Sequence, residues 1–394
     1  MRVARNLIIL SALVALIAVP VSAQDFEPLP TEPPALFPKA RISANTNRYD
    51  GREINGLINR ATRSAADFVN GRKARLLSIA PERTVSRAAN DWALEGWDAV
   101  VISGGFAPDT ILYARNNANT SFLDIGQNVP CVTTDGIPDP SGTCAGGPST
   151  LPFNYMAVSF AEDESGYLAG IIAAAAAHNG RIGIIGGTTR CETCNRYMQG
   201  FELGARWLRP EVEITKAFLA DDDAVIGFTD EETARAYAET FIDVHQPDVL
   251  LPAARANNLV IHDAACDAGV RIVGTDIDLA ARYPELAECV LTSATKPLEE
   301  AVKDAIFDFT SERMQPVKRY DLANDGVAIT SEWTQVQNLP VDLPTRLQTA
   351  RDEILAGTAV TCPDFCGKPK VVEPAPVADD EPDEGEGEVS TDQG

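Results

Sequence analysis

The chain has 394 residues, 45% of them hydrophobic, and a formal charge of −24 at pH 7. That is enough chain for two hydrophobic cores, since single cores stop growing near roughly 250–300 residues. So acidic a balance excludes nucleic acid as the natural partner, because neutralising phosphates needs a basic face.

The first residues read as an export signal. Arg2 and Arg5 form a positive start, and Leu7 to Val19 an apolar stretch too short to span a bilayer comfortably. Val21-Ser22-Ala23 is a small-residue cleavage site, so residues 1–23 are expected to leave as a signal peptide. No Cys stands at the cleavage site, so no lipid anchor is expected. The mature protein is expected to be soluble, monomeric and periplasmic.

Beyond the signal, short apolar runs recur at Leu76–Ile79, Ala99–Ile102, Ile182–Ile185, Asp248–Leu251 and Val270–Val273. Amphipathic stretches such as Glu53–Phe68, Glu231–Val244 and Leu259–Ala268 sit between them. The alternation predicts βαβ units with parallel sheets. The fold class is therefore α/β, with two Rossmann-like lobes joined by a hinge. Ligands of such sheets bind at loops leaving the carboxyl ends of strands.

Several loops qualify. Asn45-Thr46-Asn47-Arg48-Tyr49-Asp50 precedes the first long helix, where Asn and Asp also serve as ordinary caps. Ser103-Gly104-Gly105-Phe106 follows a strand; its glycines let backbone amides approach a ligand and Phe106 can line a cleft, although Gly-Gly there is equally a plain turn. Gly186-Gly187 follows another strand without forming a dinucleotide fingerprint. On the next helix Tyr197 is the candidate for a second aromatic clamp, and Phe201 is assigned to the core. Asp276 follows the strand Val270–Val273, and a carboxylate there can accept two hydrogen bonds from adjacent hydroxyls.

All 8 cysteines lie after the signal, as the close pairs Cys131/Cys144, Cys191/Cys194, Cys266/Cys289 and Cys362/Cys366. In an exported chain an even set reads as disulfides. Sequence does not fix the connectivity; sequential pairing is the expectation. Cys191-x-x-Cys194 also admits a redox dithiol or half a zinc site. The 3 His, at 178, 245 and 262, form no metalloprotease motif, and no nucleophile elbow or phosphate-binding loop occurs. No catalytic site, cofactor or metal is expected. Glu162-Asp163-Glu164 reads as acids placed at a helix start for dipole reasons. From Val371 the chain is acidic, lacks Lys and Arg, and is expected to be a disordered tail.

One ordered series carries more. Ser159-Phe160-Ala161-Glu162-Asp163-Glu164-Ser165-Gly166-Tyr167-Leu168-Ala169-Gly170 runs into an Ala-rich helix. It is followed by Arg181-Ile182-Gly183-Ile184-Ile185, Gly200-Phe201-Glu202-Leu203-Gly204-Ala205 and Gly274-Thr275-Asp276-Ile277-Asp278. In this order the pieces, spread over roughly residues 40–332, resemble the basic-membrane-protein family of solute-binding proteins. The resemblance implies a type I periplasmic-binding-protein fold serving an ABC importer, with a small-molecule ligand and the importer's permease as partners. A ligand-sensing protein docking on a membrane receptor is the alternative. Expected boundaries are 38–157 with 292–318 for the first lobe, 158–291 with 319–335 for the second, an extension at 336–370 and the tail at 371–394.

The best-understood branch of the family binds purine nucleosides. By that likeness Tyr49 takes the position of an aromatic that stacks on a base, and Asn45 and Asp50 are polar partners beside it. Asp276 takes the position of the ribose-binding acid, and Lys296 that of a lysine near the sugar. Two departures stand out: Thr46 replaces an acid, and Pro252-Ala253-Ala254-Arg255-Ala256 replaces a Gly-rich loop, so the ligand is expected to differ in size or charge.

Overall fold

A computed structural model describes residues 41–47, 51–68, 76–79, 82–104, 107–128, 131–139 and 144–363. The expected export signal and acidic tail, and Tyr49, Asp50, Gly105, Phe106 and Cys366, lie outside the described residues.

The first lobe begins with β1 (Ile42–Asn47), α1 (Gly51–Phe68), β2 (Leu76–Ile79), α2 (Glu82–Leu94), β3 (Ala99–Ser103), α3 (Ala107–Asn116), β4 (Ser121–Ile125) and β5 (Tyr155–Phe160). The second comprises α4 (Glu162–Ala176), β6 (Arg181–Thr188), α5 (Glu192–Leu208), β7 (Glu213–Ala220), α6 (Ala224–Phe228), α7 (Glu231–His245), β8 (Val249–Ala253), α8 (Asn258–Asp267), β9 (Arg271–Asp276), α9 (Leu279–Arg282) and β10 (Val290–Thr295). There follow α10 (Leu298–Thr310), β11 (Val317–Tyr320), β12 (Ala328–Ile329) and α11 (Leu343–Leu355).

Each lobe has a 6-stranded sheet. The strand orders β2-β1-β3-β4-β5 and β7-β6-β8-β9-β10 follow the same doubly wound pattern. In that pattern the topological switch point, where loops diverge to either face and leave a crevice, lies between the first and third strands of each lobe. It falls between β1 and β3 and between β6 and β8. β3 and β8 are buried along their length, as strands of a sheet covered on both faces must be, which is why they read as continuous apolar runs.

The two sheets then exchange a strand. β11 pairs parallel with β5, and β12 antiparallel with β10. The chain therefore crosses between lobes after Phe160, after Thr295 and after Tyr320. The expected switches at 157/158, 291/292 and 318/319 fall inside β5, β10 and β11. The strands run on because their ladders continue, Ala157 opposite Val317 through Phe160 opposite Tyr320.

The Ala-rich helix α4 is apolar nearly all round and buried on nearly every residue, as such a helix must be. It crosses α5 at backbone contact. A Cβ at Gly170 would stand 2.0 Å from the Phe201 carbonyl oxygen, and one at Gly204 would stand 1.9 Å from that of Tyr167. The two Gly-x-x-x-Gly spacings of the sequence thus let two helices touch. Phe201 itself is fully buried.

Disulfides join Cys131 to Cys144, Cys191 to Cys194 and Cys266 to Cys289, and Cys362 is likewise disulfide-bonded. Cys191 also caps α5, its sulfur accepting a hydrogen bond from the Cys194 amide. Alkylation of the native protein without reduction, followed by mass spectrometry, is expected to label no cysteine. Label on Cys191 or Cys194 would reopen the dithiol reading.

Residues after 335 pack back onto the crossovers. Arg351 donates to the Leu322 carbonyl at 2.9 Å and to Asp325 at 2.7 Å. Trp207 donates to Glu353 at 3.0 Å, and the buried Thr361 hydroxyl donates to Asp163.

Candidate functional site

The carboxyl ends of the second sheet and the first crossover meet around a buried chain of charges. Glu162 opens α4 directly after the first crossover and has no exposed surface. Its Oε2 accepts from Arg196 Nε at 2.8 Å, and its Oε1 accepts from Lys296 Nζ at 3.1 Å. Lys296 lies just beyond β10, at the second crossover. Its ammonium also pairs with Asp276 Oδ1 at 2.8 Å, and sits 5.3 Å from the Phe160 ring centre and 5.8 Å from that of Tyr197. The result is an alternating row, Arg196, Glu162, Lys296, Asp276, that ties both crossovers to the edge of the second sheet.

Burial alone would raise the Glu162 pKa, but Arg196 and then Lys296 override it and hold the carboxyl below its ordinary value. Burial would likewise pull Lys296 down, yet Asp276 and Glu162 hold it above its ordinary value. Arg196 is raised by Glu162 against the same penalty. Buried charges are tolerated when paired and hydrogen-bonded, and these are both.

Asp276 is the member of the row that reaches solvent. Its side chain is 19% exposed, against 7% for Lys296. Its backbone has φ of 71°, a left-handed conformation unusual for a residue with a Cβ. Such strain gathers at functional sites. The Tyr197 hydroxyl donates toward Asp276 Oδ1 at 3.3 Å and the Ala294 carbonyl at 3.4 Å. Oδ1 is thus held from two sides, while Oδ2 makes no hydrogen bond with another described residue.

The sequence-derived residues fare unequally. Asp276, Lys296 and Tyr197 come together as one group. Lys296 and Tyr197 are turned toward Asp276, and Tyr197 is only 2% exposed, so its ring offers little open face for stacking. Both act here as groups that position Asp276. Asn45 lies in β1, opposite Leu77 and Ile102. The strands preceding Tyr49 and Phe106 are neighbours, with Thr46 opposite Ser103 at the edge where those loops begin.

Sequence reading missed Glu162 and Arg196. Acids at a helix start are usually solvated partners of the helix dipole, which is how the sequence alone presents these. The available signal was the apolar helix behind them: if α4 is buried on all sides, its first turn is buried too, and its acids need cationic partners. Glu164 has the same fate, accepting from Arg319 at 3.3 Å and from the Leu322 amide at 2.9 Å. A broad polar groove of about 1190 Å³ lies elsewhere, at the amino ends of the second-lobe strands beside Arg181, Asp248 and Arg271. Ligands of doubly wound sheets bind at the opposite, carboxyl edge, and the site is assigned there.

Residues 69–352 match a family of proteins described as Bmp, the PnrA-like ABC transporter substrate-binding proteins. The chain belongs to this family. Relatives of the Bmp protein include Basic membrane protein A of Borreliella burgdorferi, 28% identical over 154 residues covering 39% of this chain and 42% of that one. Basic membrane protein D of the same species is 26% identical over 209 residues, 52% of this chain and 54% of that one. The chain thus spans about half the length of the curated relatives it matches. In fold it is similar to an ABC transporter solute-binding protein from Aeropyrum pernix K1, with a TM-score of 0.64, 15% identity, and coverage of 82% of this chain and 94% of that one. It is also similar to a periplasmic solute-binding protein from Actinobacillus succinogenes 130z with bound D-allose, with a TM-score of 0.56, 13% identity, and coverage of 75% and 99%.

Proposed function

We propose that this Bmp protein captures a small molecule in the periplasm and delivers it to the permease of an ABC importer, and that the ligand is a purine nucleoside or a similar planar, sugar-bearing molecule. The observation that carries the reading is Asp276. One oxygen is fixed by Lys296 and Tyr197, and the other is available at the carboxyl edge of the second sheet. A carboxylate held this way accepts hydrogen bonds from neighbouring hydroxyls of a sugar. That a structurally similar protein carries D-allose supports a hydroxyl-rich ligand. In this reading the first lobe contributes Asn45, Tyr49, Asp50, Gly105 and Phe106, with Tyr49 stacking on the base. In this reading the protein acts as a monomer released by cleavage after Ala23. Among the described residues no helix is long and apolar enough to cross a membrane.

Calorimetric titration with inosine, guanosine, adenosine and the matching bases tests this. Loss of a hydrogen bond to a charged group in a closed cleft costs roughly 1.5–3 kcal/mol. Asp276→Ala is expected to weaken the nucleosides accordingly and the free bases little. Wild type binding none of them removes the nucleoside reading, and equal binding by Asp276→Ala removes the sugar site.

A further inference from the structure

We infer that Asn258 is a positioning residue: by tying together the loops after β8 and β9, it holds Asp276 in a strained backbone conformation that keeps the carboxylate ready for a ligand. The inference rests on the reading above in taking Asp276 as the ligand-binding acid.

The strain is local. Asp276 has φ of 71°, and across it the Ile277 amide donates to the Thr275 carbonyl at 2.9 Å. A bond from residue i+2 back to residue i about a positive φ is the rare, strained form of the γ-turn. A second residue with a Cβ, Arg255, is left-handed just beyond the neighbouring strand β8, with φ of 52°. Such conformations persist only where the surroundings over-determine them.

Asn258, the first residue of α8, supplies the constraint. Its Oδ1 accepts from the Ala254 amide at 2.6 Å, and its Nδ2 donates to Thr275 Oγ1 at 3.0 Å. Ala254 precedes Arg255, and Thr275 precedes Asp276. One carboxamide thus bridges the residues before both strained ones, which it can do because it carries an acceptor and a donor side by side. Both partners are buried, so a bond lost there leaves an unpaired polar group. The β8 loop is itself anchored on α6. The Arg255 guanidinium carbon lies 5.2 Å from the centre of the Phe228 ring, and Asn257 donates to the Ile226 carbonyl at 3.0 Å.

The other ties at this corner are of a different kind. The Lys296 amide donates to the Asp276 carbonyl at 3.1 Å, continuing the pairing of β9 with β10. The Lys296 ammonium and the Tyr197 hydroxyl hold the carboxylate itself. Asn258 works on the chain behind it. The two loops it joins leave adjacent strands at the carboxyl edge, where a doubly wound sheet presents its ligand groups. Joined, they form one piece, and less ordering remains to be done when a ligand binds.

The test separates strain from ligand contact. Asp276→Gly and Asp276→Ala both remove the carboxylate, so the difference between their melting temperatures reads the backbone. Glycine accepts a left-handed conformation that alanine resists, and Asp276→Gly is expected to melt about 1–3 °C above Asp276→Ala. In an Asn258→Ala background the order is expected to reverse, because at a relaxed position glycine only adds freedom to the unfolded chain. No difference at first, or the same order in both backgrounds, overturns the inference. Calorimetry then compares guanosine, inosine and adenosine with the matching bases. Asn258→Ala, and Thr275→Val, which cuts the tie at its other end, are each expected to weaken the nucleosides about 5- to 10-fold and the bases little. Asn258→Asp is expected to restore binding, since its second oxygen accepts from the Thr275 hydroxyl. Loss in Asn258→Ala without loss in Thr275→Val would make Asn258 a ligand contact, and equal loss for the bases would make it a general prop of the lobe; either overturns the positioning role. Nucleoside binding unchanged in both variants overturns the inference and leaves the nucleoside reading intact. A reversed melting order in a protein that binds no nucleoside does the opposite.

Discussion

Glu162→Gln is expected to lower the stability of the fold by about 3–5 kcal/mol, the usual cost of breaking a buried ion pair from one side. The side chain has no exposed surface and is shared by Arg196 and Lys296, which are 2% and 7% exposed. Glutamine keeps the volume and one acceptor but removes the charge both cations depend on. Each is then left desolvated with half its compensation. Urea unfolding reads the loss as a shifted midpoint at constant slope. Lys296→Met combined with Glu162→Gln is expected to cost less than the sum of the single changes, since each single change strands the other's charge. The pH dependence follows from direction. The folded pKa of Glu162 lies below its ordinary value of 4.5. Its contribution is therefore intact above that pH and fades as pH falls through the lower folded value. The gap between wild type and variant should narrow on acidification. A cost below about 1 kcal/mol, typical of exposed pairs, would mean that the row is solvated.

How far this arrangement was legible beforehand differs by residue. Lobes, strands and helices were readable because parallel strands buried on both faces are runs of apolar residues, and the intervening helices are amphipathic or, for α4, wholly apolar. The sequential cysteine pairs at 131/144, 191/194 and 266/289 agree with the pairing expected from closeness in sequence, which alone does not fix connectivity. The lobe crossings were not readable, since β5, β10 and β11 run on by pairing with strands distant in sequence. Asp276 and Lys296 were singled out by likeness, but their mutual contact was not legible, as it depends on two loops from adjacent strands. For Tyr197, helix position was legible, while its hydroxyl bonds to Asp276 and to the Ala294 carbonyl come from β9 and β10 and were not. Arg255 was noticed only as an unusual residue in its loop; its left-handed backbone and its seat on Phe228 needed the fold.

Asp124→Asn is expected to stabilise the protein at alkaline pH and leave it unchanged in acid. Asp124 sits in β4, opposite Ile102 and Ala157, with no exposed surface. Its Oδ2 accepts from the Tyr155 hydroxyl at 3.2 Å, and its Oδ1 has no hydrogen-bond partner among the described residues. Among those residues no cation compensates a charge there. Burial pushes its pKa up to about 8 from 3.8, and the Tyr155 hydrogen bond only partly opposes this. The folded chain thus keeps a proton that the unfolded chain releases near 3.8. Stability from this site is fully present below that pH and is lost progressively as pH rises to about 8. The difference between the two values caps the loss at about 5–6 kcal/mol, and relaxation around the charge is expected to leave roughly 2–3 kcal/mol. Asparagine copies the shape of the protonated acid and does not titrate. Its melting temperature should match wild type near pH 4, exceed it increasingly up to pH 8, and stay ahead by a constant margin above. The margin belongs to Asp124 only if it grows over that interval; a gain equal at all pH values would instead indicate better packing or hydrogen bonding by the amide.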